Sequence, residues 1–136
     1  MIFSFDISME PKKILIIDDE VDFGLLLKKY FEQRSCMVII ANTLEQGLAI
    51  LSEFRPDYIF LDNNLPDGRG WGKVDYILSN YPEAQLNLVS GQFVPKTTAQ
   101  NFKIIEKPLS IEELDFIFKE DTHLYKPYGY TDINAD

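Results

Sequence analysis

Five polar side chains, each at or just after the end of a short apolar run, could act together on a phosphoryl group. They are Asp18, Asp19, Asp62, Ser90 and Lys107. Three carboxylates held close together repel one another, so either some are protonated or a cation lies between them. A cluster of oxygen ligands suits Mg²⁺, which takes about six of them and is often completed by phosphate. A lysine ammonium and a serine hydroxyl opposite the metal would bind phosphoryl oxygens, which predicts phosphoryl transfer with Asp62 as the nucleophile.

Asp62 follows four apolar residues, 58–61, and precedes a turn that contains Pro66 and Gly68. A short run that is apolar on both faces is typical of a strand covered from both sides. Asp62 would then be the first residue clear of the core, at the sheet edge where open parallel sheets bind ligands. Taken alone, Asp62 is better explained as the opening residue of an Asx-type turn. Its chemical role therefore depends on the other four residues.

Short apolar runs alternate with helical patterns along the whole chain, at 14–17, 37–41, 58–61, 86–89 and 103–105. This alternation predicts one doubly wound α/β domain with a five-stranded parallel sheet, flavodoxin-like in its order 2-1-3-4-5. In that order strands one and three are neighbours, and strands four and five lie beside them. The five polar side chains would therefore gather at one edge of the sheet.

The helices of this pattern have recognisable starts. Asp22 is the expected N-cap of the first helix, and Trp71 the expected first residue of a helix that ends near Asn80. Two further helices should open with capping boxes, each a Ser or Thr followed three residues later by Gln or Glu. These pairs are Thr43 with Gln46 and Ser110 with Glu113.

Composition narrows the class of function. A formal net charge of −9 argues against direct binding to nucleic acid, which needs a basic face. No apolar run approaches the roughly 18 residues of a membrane span, and residues 1–10 lack the features of a signal peptide. Cys36 is the only cysteine, so no internal disulfide forms, and we expect a buried thiol and a cytoplasmic location.

Four motifs in this order resemble the receiver domain of a two-component response regulator, as in the chemotaxis regulators. They are the acidic pair Asp18-Asp19, the block Leu61-Asp62-x-x-Leu65-Pro66-x-Gly68, Ser90-Gly91, and Lys107-Pro108. The similarity covers residues 12–120. It leaves residues 1–11 as an N-terminal extension and residues 121–136 as a C-terminal tail.

The resemblance implies a role for each site residue. Asp62 would take phosphate from a sensor histidine kinase, a histidine phosphotransfer protein or a small phosphodonor. Asp19 would bind Mg²⁺ directly and Asp18 mainly through water, with the backbone carbonyl of Asn64 as a further ligand. Ser90 and Lys107 would hold the phosphoryl oxygens.

The same resemblance implies a switch that is not an enzyme in the usual sense. The domain would assist its own phosphorylation and dephosphorylation, and a downstream protein would bind one of the two states. Neither nucleic acid nor a membrane is an expected direct partner. The Lys107–Pro108 bond is expected to be a cis peptide.

Two departures from the family pattern stand out. The position three residues before the conserved lysine usually carries a tyrosine or phenylalanine that moves on phosphorylation, and here it is Ile104. Residues 91–101 lack a helical apolar stripe, so we expect the fourth helix, between strands four and five, to be shortened or irregular. The output of the switch is therefore expected to be unusual.

Two other functions fit the same fold. A phosphohydrolase that turns over through an aspartyl phosphate would place an acid/base aspartate two residues after Asp62, but Asn64 stands there. A flavodoxin-like cofactor binder needs a phosphate-binding loop after strand one, where Asp18, Asp19 and Glu20 would repel phosphate unless a metal intervened.

Overall fold

The computed structural model describes residues 10–91, 102–107, 109–121 and 124, and these residues form one five-stranded parallel sheet with helices on both faces. The strands are β1 (Lys13–Ile17), β2 (Met37–Ala41), β3 (Tyr58–Asp62), β4 (Gln85–Ser90) and β5 (Phe102–Glu106). Their order is 2-1-3-4-5, and every neighbouring pair is parallel. The predicted doubly wound sheet is confirmed.

The described residues form four α-helices. These are α1 (Val21–Glu32), α2 (Leu44–Phe54), α3 (Val74–Asn80) and α4 (Ile111–Ile117). The helix expected between β4 and β5 falls on residues that lie outside the described ones, as do residues 1–9, Pro108 and nearly all of the expected tail. The predictions of a shortened fourth helix and of a cis Lys107–Pro108 bond are therefore not addressed by the described residues.

The sheet is buried on both faces because its central strands are apolar at successive positions. Residues 14–17 of β1 are 0% exposed, and all five residues of β3 are buried. Alternate side chains enter opposite layers. One layer contains Ile14, Ile16, Phe31, Phe60 and Phe118, and the other contains Leu15, Ile17, Leu51, Ile59 and Leu88. Burial of each such side chain stabilises the fold by about 1.5–3 kcal/mol, so the strand ends are held on a rigid base.

One predicted helix start is wrong, and another is confirmed in position but not in helix type. The N-cap of α1 is Glu20, not Asp22, because Asp18 accepts a hydrogen bond from the Glu20 amide and fixes the turn there. The helix expected from Trp71 begins as a 3-10 turn over Gly70–Lys73, and it becomes α-helical only at Val74.

The two capping pairs have different outcomes. Ser110 and Glu113 form the complete capping box. Thr43 accepts the hydrogen bond from the Gln46 amide, but the Gln46 side chain accepts from the backbone amide of Asn42 and not from that of Thr43.

Polar contacts attach the last helix, and the residues that follow it, to the first layer. The Tyr30 hydroxyl and the Arg34 guanidinium both donate to the carboxylate of Asp115, each over 2.8 Å. The hydroxyl of Tyr58 donates to Asp121 over 2.6 Å. Cys36 is a buried free thiol, as predicted, and burial raises its pKa to about 11.

Candidate functional site

Sheet register brings the predicted site residues together at the carboxyl edge of the sheet. Ile17 pairs with Leu61, and Asp62 pairs with Val89 on the next strand. Ser90 pairs with Glu106, and the Lys107 amide then donates to the Ser90 carbonyl over 2.8 Å. The polar residues therefore lie at nearly the same height along the strand direction. The four strand ends β1, β3, β4 and β5 all contribute to one site.

Three carboxylates form the centre of this site. Asp18, Asp19 and Asp62 each offer an oxygen atom, and these atoms lie within 4.8 Å of one another. Asp18 and Asp62 are 2% and 7% exposed, whereas Asp19 faces solvent. The expectation that Asp62 lies clear of the core is wrong, because pairing with β4 continues through Asp62 and makes it the last, buried residue of β3.

Lys107 is the cation that faces these carboxylates. Its Nζ atom lies 2.8 Å from Asp18 Oδ2, 2.8 Å from Glu20 Oε1 and 3.5 Å from Asp62 Oδ1. The ammonium group also lies 4.7 Å from the centre of the Phe23 ring, within the range of a cation–π contact. One lysine therefore contacts residues from both acidic strand ends.

Burial is the largest cause that makes both inner carboxyls weaker acids than usual. Burial raises the pKa of Asp18, against the lowering effect of Lys107. Burial and the nearby charge of Asp18 raise the pKa of Asp62. For Lys107, burial acts to lower the pKa, but its contacts with Asp18 and Glu20 outweigh burial and raise it. Without a further cation, the site holds more negative charge than Lys107 balances.

The donor set tests whether a metal fits. Asp18 Oδ2 is buried and forms an ion pair with the Lys107 ammonium over 2.8 Å, but the same ammonium also faces Glu20 and Asp62. Buried carboxylate oxygens normally have hydrogen-bond partners or bind a metal. Three carboxylate oxygens within reach of one another match the ligand preference of Mg²⁺. The residues present therefore fit a hard divalent cation.

The loop after Asp62 is held by short-range hydrogen bonds. The Asn64 amide donates to Asp62 Oδ2 over 3.1 Å. Asn63 accepts from the Gly70 amide through its carbonyl and from the Trp71 amide through its side chain, while the Trp71 indole donates to the Leu61 carbonyl. The loop closes on itself through a two-residue antiparallel ribbon between 64–65 and 68–69.

Asp67 fastens the same loop to α2. Its two carboxylate oxygens accept hydrogen bonds from the Leu44 and Glu45 amides over 2.8 and 2.9 Å. These two bonds satisfy amide groups at the helix N-terminus that have no partner within the helix. They also lower the pKa of Asp67. The Asp62 loop is therefore anchored at both the strand and the neighbouring helix.

Two cavities open beside Asp62. The larger, of about 620 Å³, is lined by both polar and apolar groups: Asp19, Glu20, Asp22, Phe23, Leu26, Asp62, Asn64, Gly91, Lys107 and Leu109. The smaller, of about 300 Å³, lies towards β4 and is lined by Asp62, Asn63, Asn64, Trp71, Val89, Ser90 and Gly91. Ser90 is 5% exposed and lines this smaller cavity together with Asp62. Asp62 is thus accessible from two sides although its side chain is largely buried.

Position 104 on β5, where the family pattern has an aromatic residue, also differs from that pattern in the structure. Ile104 is 42% exposed, so an aliphatic side chain faces solvent where an aromatic ring is usual. Phe102 is partly buried against the layer that contains Leu86 and Leu88, so it does not take the place of that ring.

Sequence reasoning overlooked three residues of this region. Glu20 was grouped with the acidic run, but nothing in its spacing showed a contact with Lys107, 87 positions away. The ring of Phe23, near the start of α1, contacts the Lys107 ammonium, and no local pattern in the sequence indicates this contact. Asp67 was treated as part of a turn, and a lone acid 22–23 positions from a helix N-terminus is not a capping signal in a sequence.

Within the part of the chain that the structure describes, no helix is long and apolar enough to cross a membrane. The carboxylates that follow β1 lie beside Asp62, together with Lys107 and Ser90. This arrangement can bind a divalent cation and an anionic group side by side, and it presents a carboxylate oxygen as a nucleophile.

Comparison with known proteins identifies related sequences. The family model described as the response regulator receiver domain matches residues 14–119. The transcriptional regulatory protein DpiA of Escherichia coli is 26% identical over 112 residues, which cover 80% of this chain and 46% of DpiA. The photosynthetic apparatus regulatory protein RegA of Rhodovulum sulfidophilum is 29% identical over 137 residues, 97% of this chain and 74% of RegA. The chain spans about half the length of DpiA.

Solved structures show the same fold. A CheY-like receiver domain protein from Methanospirillum hungatei superposes with a TM-score of 0.71 at 24% identity, covering 84% of this chain and 97% of that one. The chemotaxis protein CheY4 of Vibrio cholerae gives a TM-score of 0.71 at 20% identity, with coverages of 81% and 98%. At these identities the likeness shows the fold alone.

Proposed function

Because this chain belongs to the family of response regulator receiver domains, the signalling domains of two-component systems, we propose that Asp62 is its phosphoacceptor. The observation that carries the proposal is the position of Asp62 between Lys107 and the two β1 acids. Its Oδ1 lies 3.5 Å from the Lys107 ammonium, and its carboxylate is one of three that reach a common point. Receiver domains are generally signalling domains without enzymatic activity, and we propose the same for this one.

The reaction is a phosphoryl transfer. A carboxylate oxygen of Asp62 attacks the phosphorus of a phosphohistidine, forming a P–O bond while the P–N bond breaks. The imidazole nitrogen keeps the electron pair of the broken bond, and it takes up a proton as the imidazole returns to neutrality. Catalysis of such a transfer depends on positioning and charge stabilisation, which the rigid strand end and Lys107 provide.

Asp18, Asp19, Asp62 and the backbone carbonyl of Asn64 would hold Mg²⁺. When bound, the ion neutralises carboxylate charge and stabilises the negative charge of the phosphoryl oxygens. The exposed position of Asp19 suits direct ligation, and the ion pair of Asp18 with Lys107 suits a role mainly through water. The short distances among the three carboxylates support this assignment.

Ser90 and Lys107 would hold the phosphoryl oxygens from two directions. Ser90 lines the small cavity together with Asp62, and the Lys107 side chain is only 16% exposed. A hydroxyl donor and an ammonium donor in a partly dry site bind an anion more strongly than the same groups in water. Both residues would act on the incoming phosphoryl group and not on the donor protein.

The proposed partners follow from the proposed reaction. The phosphoryl donor is a sensor histidine kinase or a histidine phosphotransfer protein. A downstream protein binds either the phosphorylated or the unphosphorylated receiver domain, residues 12–120. We place this exchange in the cytoplasm, where phosphohistidine and small acyl phosphates are made. The net charge of −9 supports a protein and not a nucleic acid as the direct partner.

Incubation with Mg²⁺ and acetyl phosphate tests the proposal. We expect the intact mass to increase by one phosphoryl group in the wild-type chain and in Asp22→Asn, which removes an exposed carboxylate at the same cavity. Asp62→Ala and chelation of Mg²⁺ should each abolish the increase. Labelling that survives Asp62→Ala would rule out the assignment, and sustained hydrolysis of phosphate esters would favour a phosphohydrolase instead.

A further inference from the structure

Glu20 uses its side chain in an unusual way for its position. It is the N-cap residue of α1, but its side chain does not cap the helix. Instead, Glu20 Oε1 accepts a hydrogen bond from the Lys107 ammonium over 2.8 Å. A shorter acid at an N-cap normally turns back to the first free amides of its own helix. The extra methylene group of glutamate allows the side chain to reach across the cavity to β5.

The contacts of Lys107 differ in how easily they break. The Asp18 side chain is 1% exposed and the Asp62 side chain 9%, whereas that of Glu20 is 57% exposed. An exposed ion pair contributes little free energy and is screened by salt, while a buried pair is costly to separate. The contact with Glu20 is therefore the one that yields first when the lysine turns towards a new anion.

A phosphoryl group on Asp62 needs the same ammonium protons. Lysine has three donors, and three carboxylates already surround Nζ: Asp18 and Glu20 at 2.8 Å and Asp62 at 3.5 Å. A phosphoryl group on Asp62 would bring further oxygens to an ammonium whose three donors already face three acceptors. Glu20 and the phosphoryl oxygens are thus competitors for Lys107.

We propose that Glu20 is a positioning residue that holds Lys107 in the resting state and lowers the affinity of the site for a phosphoryl group. This inference rests on the proposed phosphorylation of Asp62. Glu20 is not one of the three carboxylates that could share a metal ion. It does not contact the reacting atoms, and it acts only through Lys107. Loss of the contact between Glu20 and Lys107 should favour the phosphorylated state of Asp62.

A simpler effect of charge must be separated from this contact, because any acid at the cavity mouth repels an anion. Glu20→Asp keeps the charge, and the shorter side chain is expected to cap α1 and release Lys107. Asp22→Asn removes one charge from the first turn of the same helix and the same cavity, and leaves the Glu20–Lys107 contact intact. The two variants therefore change reach and charge independently.

The affinity for beryllofluoride, a mimic of the phosphoryl group on a carboxylate, measures the competition directly. Fluorine NMR in the presence of Mg²⁺ gives the bound fraction for the wild type, Glu20→Asp, Glu20→Ala and Asp22→Asn. We expect both Glu20 variants to bind more tightly by roughly two- to fivefold, the effect of one exposed ion pair, and Asp22→Asn to stay close to the wild type.

Two results would overturn the inference. Glu20→Asp with wild-type affinity, together with equal gains in Glu20→Ala and Asp22→Asn, would show that charge alone matters. Unchanged affinity in every variant would show that Glu20 and the phosphoryl group do not compete for Lys107. Asp62→Ala separates these from failure of the proposed function, because binding that survives Asp62→Ala contradicts phosphorylation of Asp62 itself.

Discussion

The loops that follow β1 and β3 meet at the same site but are built on opposite principles. In the β3 loop, residues 62–71, hydrogen bonds engage the side chains of Asp62, Asn63 and Asp67. The β1 loop, residues 18–20, contains three consecutive acids, two of which share the ammonium of Lys107. The difference separates two tasks: the β3 loop fixes the position of Asp62, the proposed nucleophile, and the β1 loop holds excess negative charge to which a cation can bind.

Rigidity of the β3 loop depends on close backbone packing as well as on hydrogen bonds. Gly70 is buried, and a Cβ atom at this position would lie 2.1 Å from the Asp62 carbonyl oxygen and 2.9 Å from Leu61 Cδ1. Only glycine allows the loop to return so closely to the strand that presents Asp62.

Gly70→Ala should therefore produce the largest effect. We expect it to destabilise the fold by about 3 kcal/mol, because the added methyl group overlaps backbone that cannot move freely. Gly72→Ala is the matched control, since a Cβ atom there meets nothing within 4 Å. Chemical denaturation measures both. Equal, small effects of the two variants would contradict the close packing of the β3 loop.

The excess charge of the β1 loop predicts that a substitution at Asp62 changes stability in the opposite direction, towards a more stable fold. Asp62→Asn removes a carboxylate whose pKa is raised by burial and by Asp18, so the metal-free protein should gain about 1 kcal/mol in free energy of unfolding near pH 7. A carboxyl with a raised pKa stabilises the fold below its ordinary pKa of 3.8 and loses that contribution as pH rises through the raised value. The gain should accordingly vanish towards pH 3.8.

Mg²⁺ provides the control for this prediction. It should stabilise the wild type near pH 7 and reduce or reverse the advantage of Asp62→Asn, because bound metal neutralises the crowded carboxylates. An Asn variant that is less stable than the wild type in the presence of chelator would contradict the view that the β1 loop holds excess charge.

The smallest effect is expected at Asp67, which is exposed. Asp67→Ala removes the two hydrogen bonds to the α2 amides, and it should loosen the Asp62 loop and lower stability near pH 7. Because those bonds lower the pKa of Asp67, its contribution is present above the ordinary value of 3.8 and is lost as pH falls through the lowered value.

Thermal unfolding at several pH values tests this prediction, with Glu83→Ala as an exposed control. The difference between Asp67→Ala and the wild type should disappear in acid, while Glu83→Ala stays close to the wild type throughout. A destabilisation that is independent of pH would mean that the carboxylate charge of Asp67 does not matter.

The sequence was informative where local pattern decides the structure. Apolar runs predicted β1 and β3, and the rule that parallel strands end at one edge predicted that Asp18, Asp62, Ser90 and Lys107 meet. The complete capping box at Ser110 is also a local feature, since its two partners are three residues apart.

The sequence was less informative where long-range contacts compete with local ones. The start of α1 was misplaced because the Glu20 amide binds Asp18 and the Glu20 side chain binds Lys107. The 3-10 turn at Gly70 and the cap supplied by Asp67 depend on how the β3 loop folds back on the strand. Such contacts leave no periodic signal in the chain.

The central claim is that Asp62 accepts a phosphoryl group with the help of a metal bound by the β1 acids. Borohydride reduction of the protein after exposure to acetyl phosphate converts an acyl phosphate into an alcohol, and tandem mass spectrometry locates that change. We predict reduction at residue 62 in the presence of Mg²⁺ and none after chelation. Reduction at another residue, or at residue 62 without any divalent cation, would contradict the account.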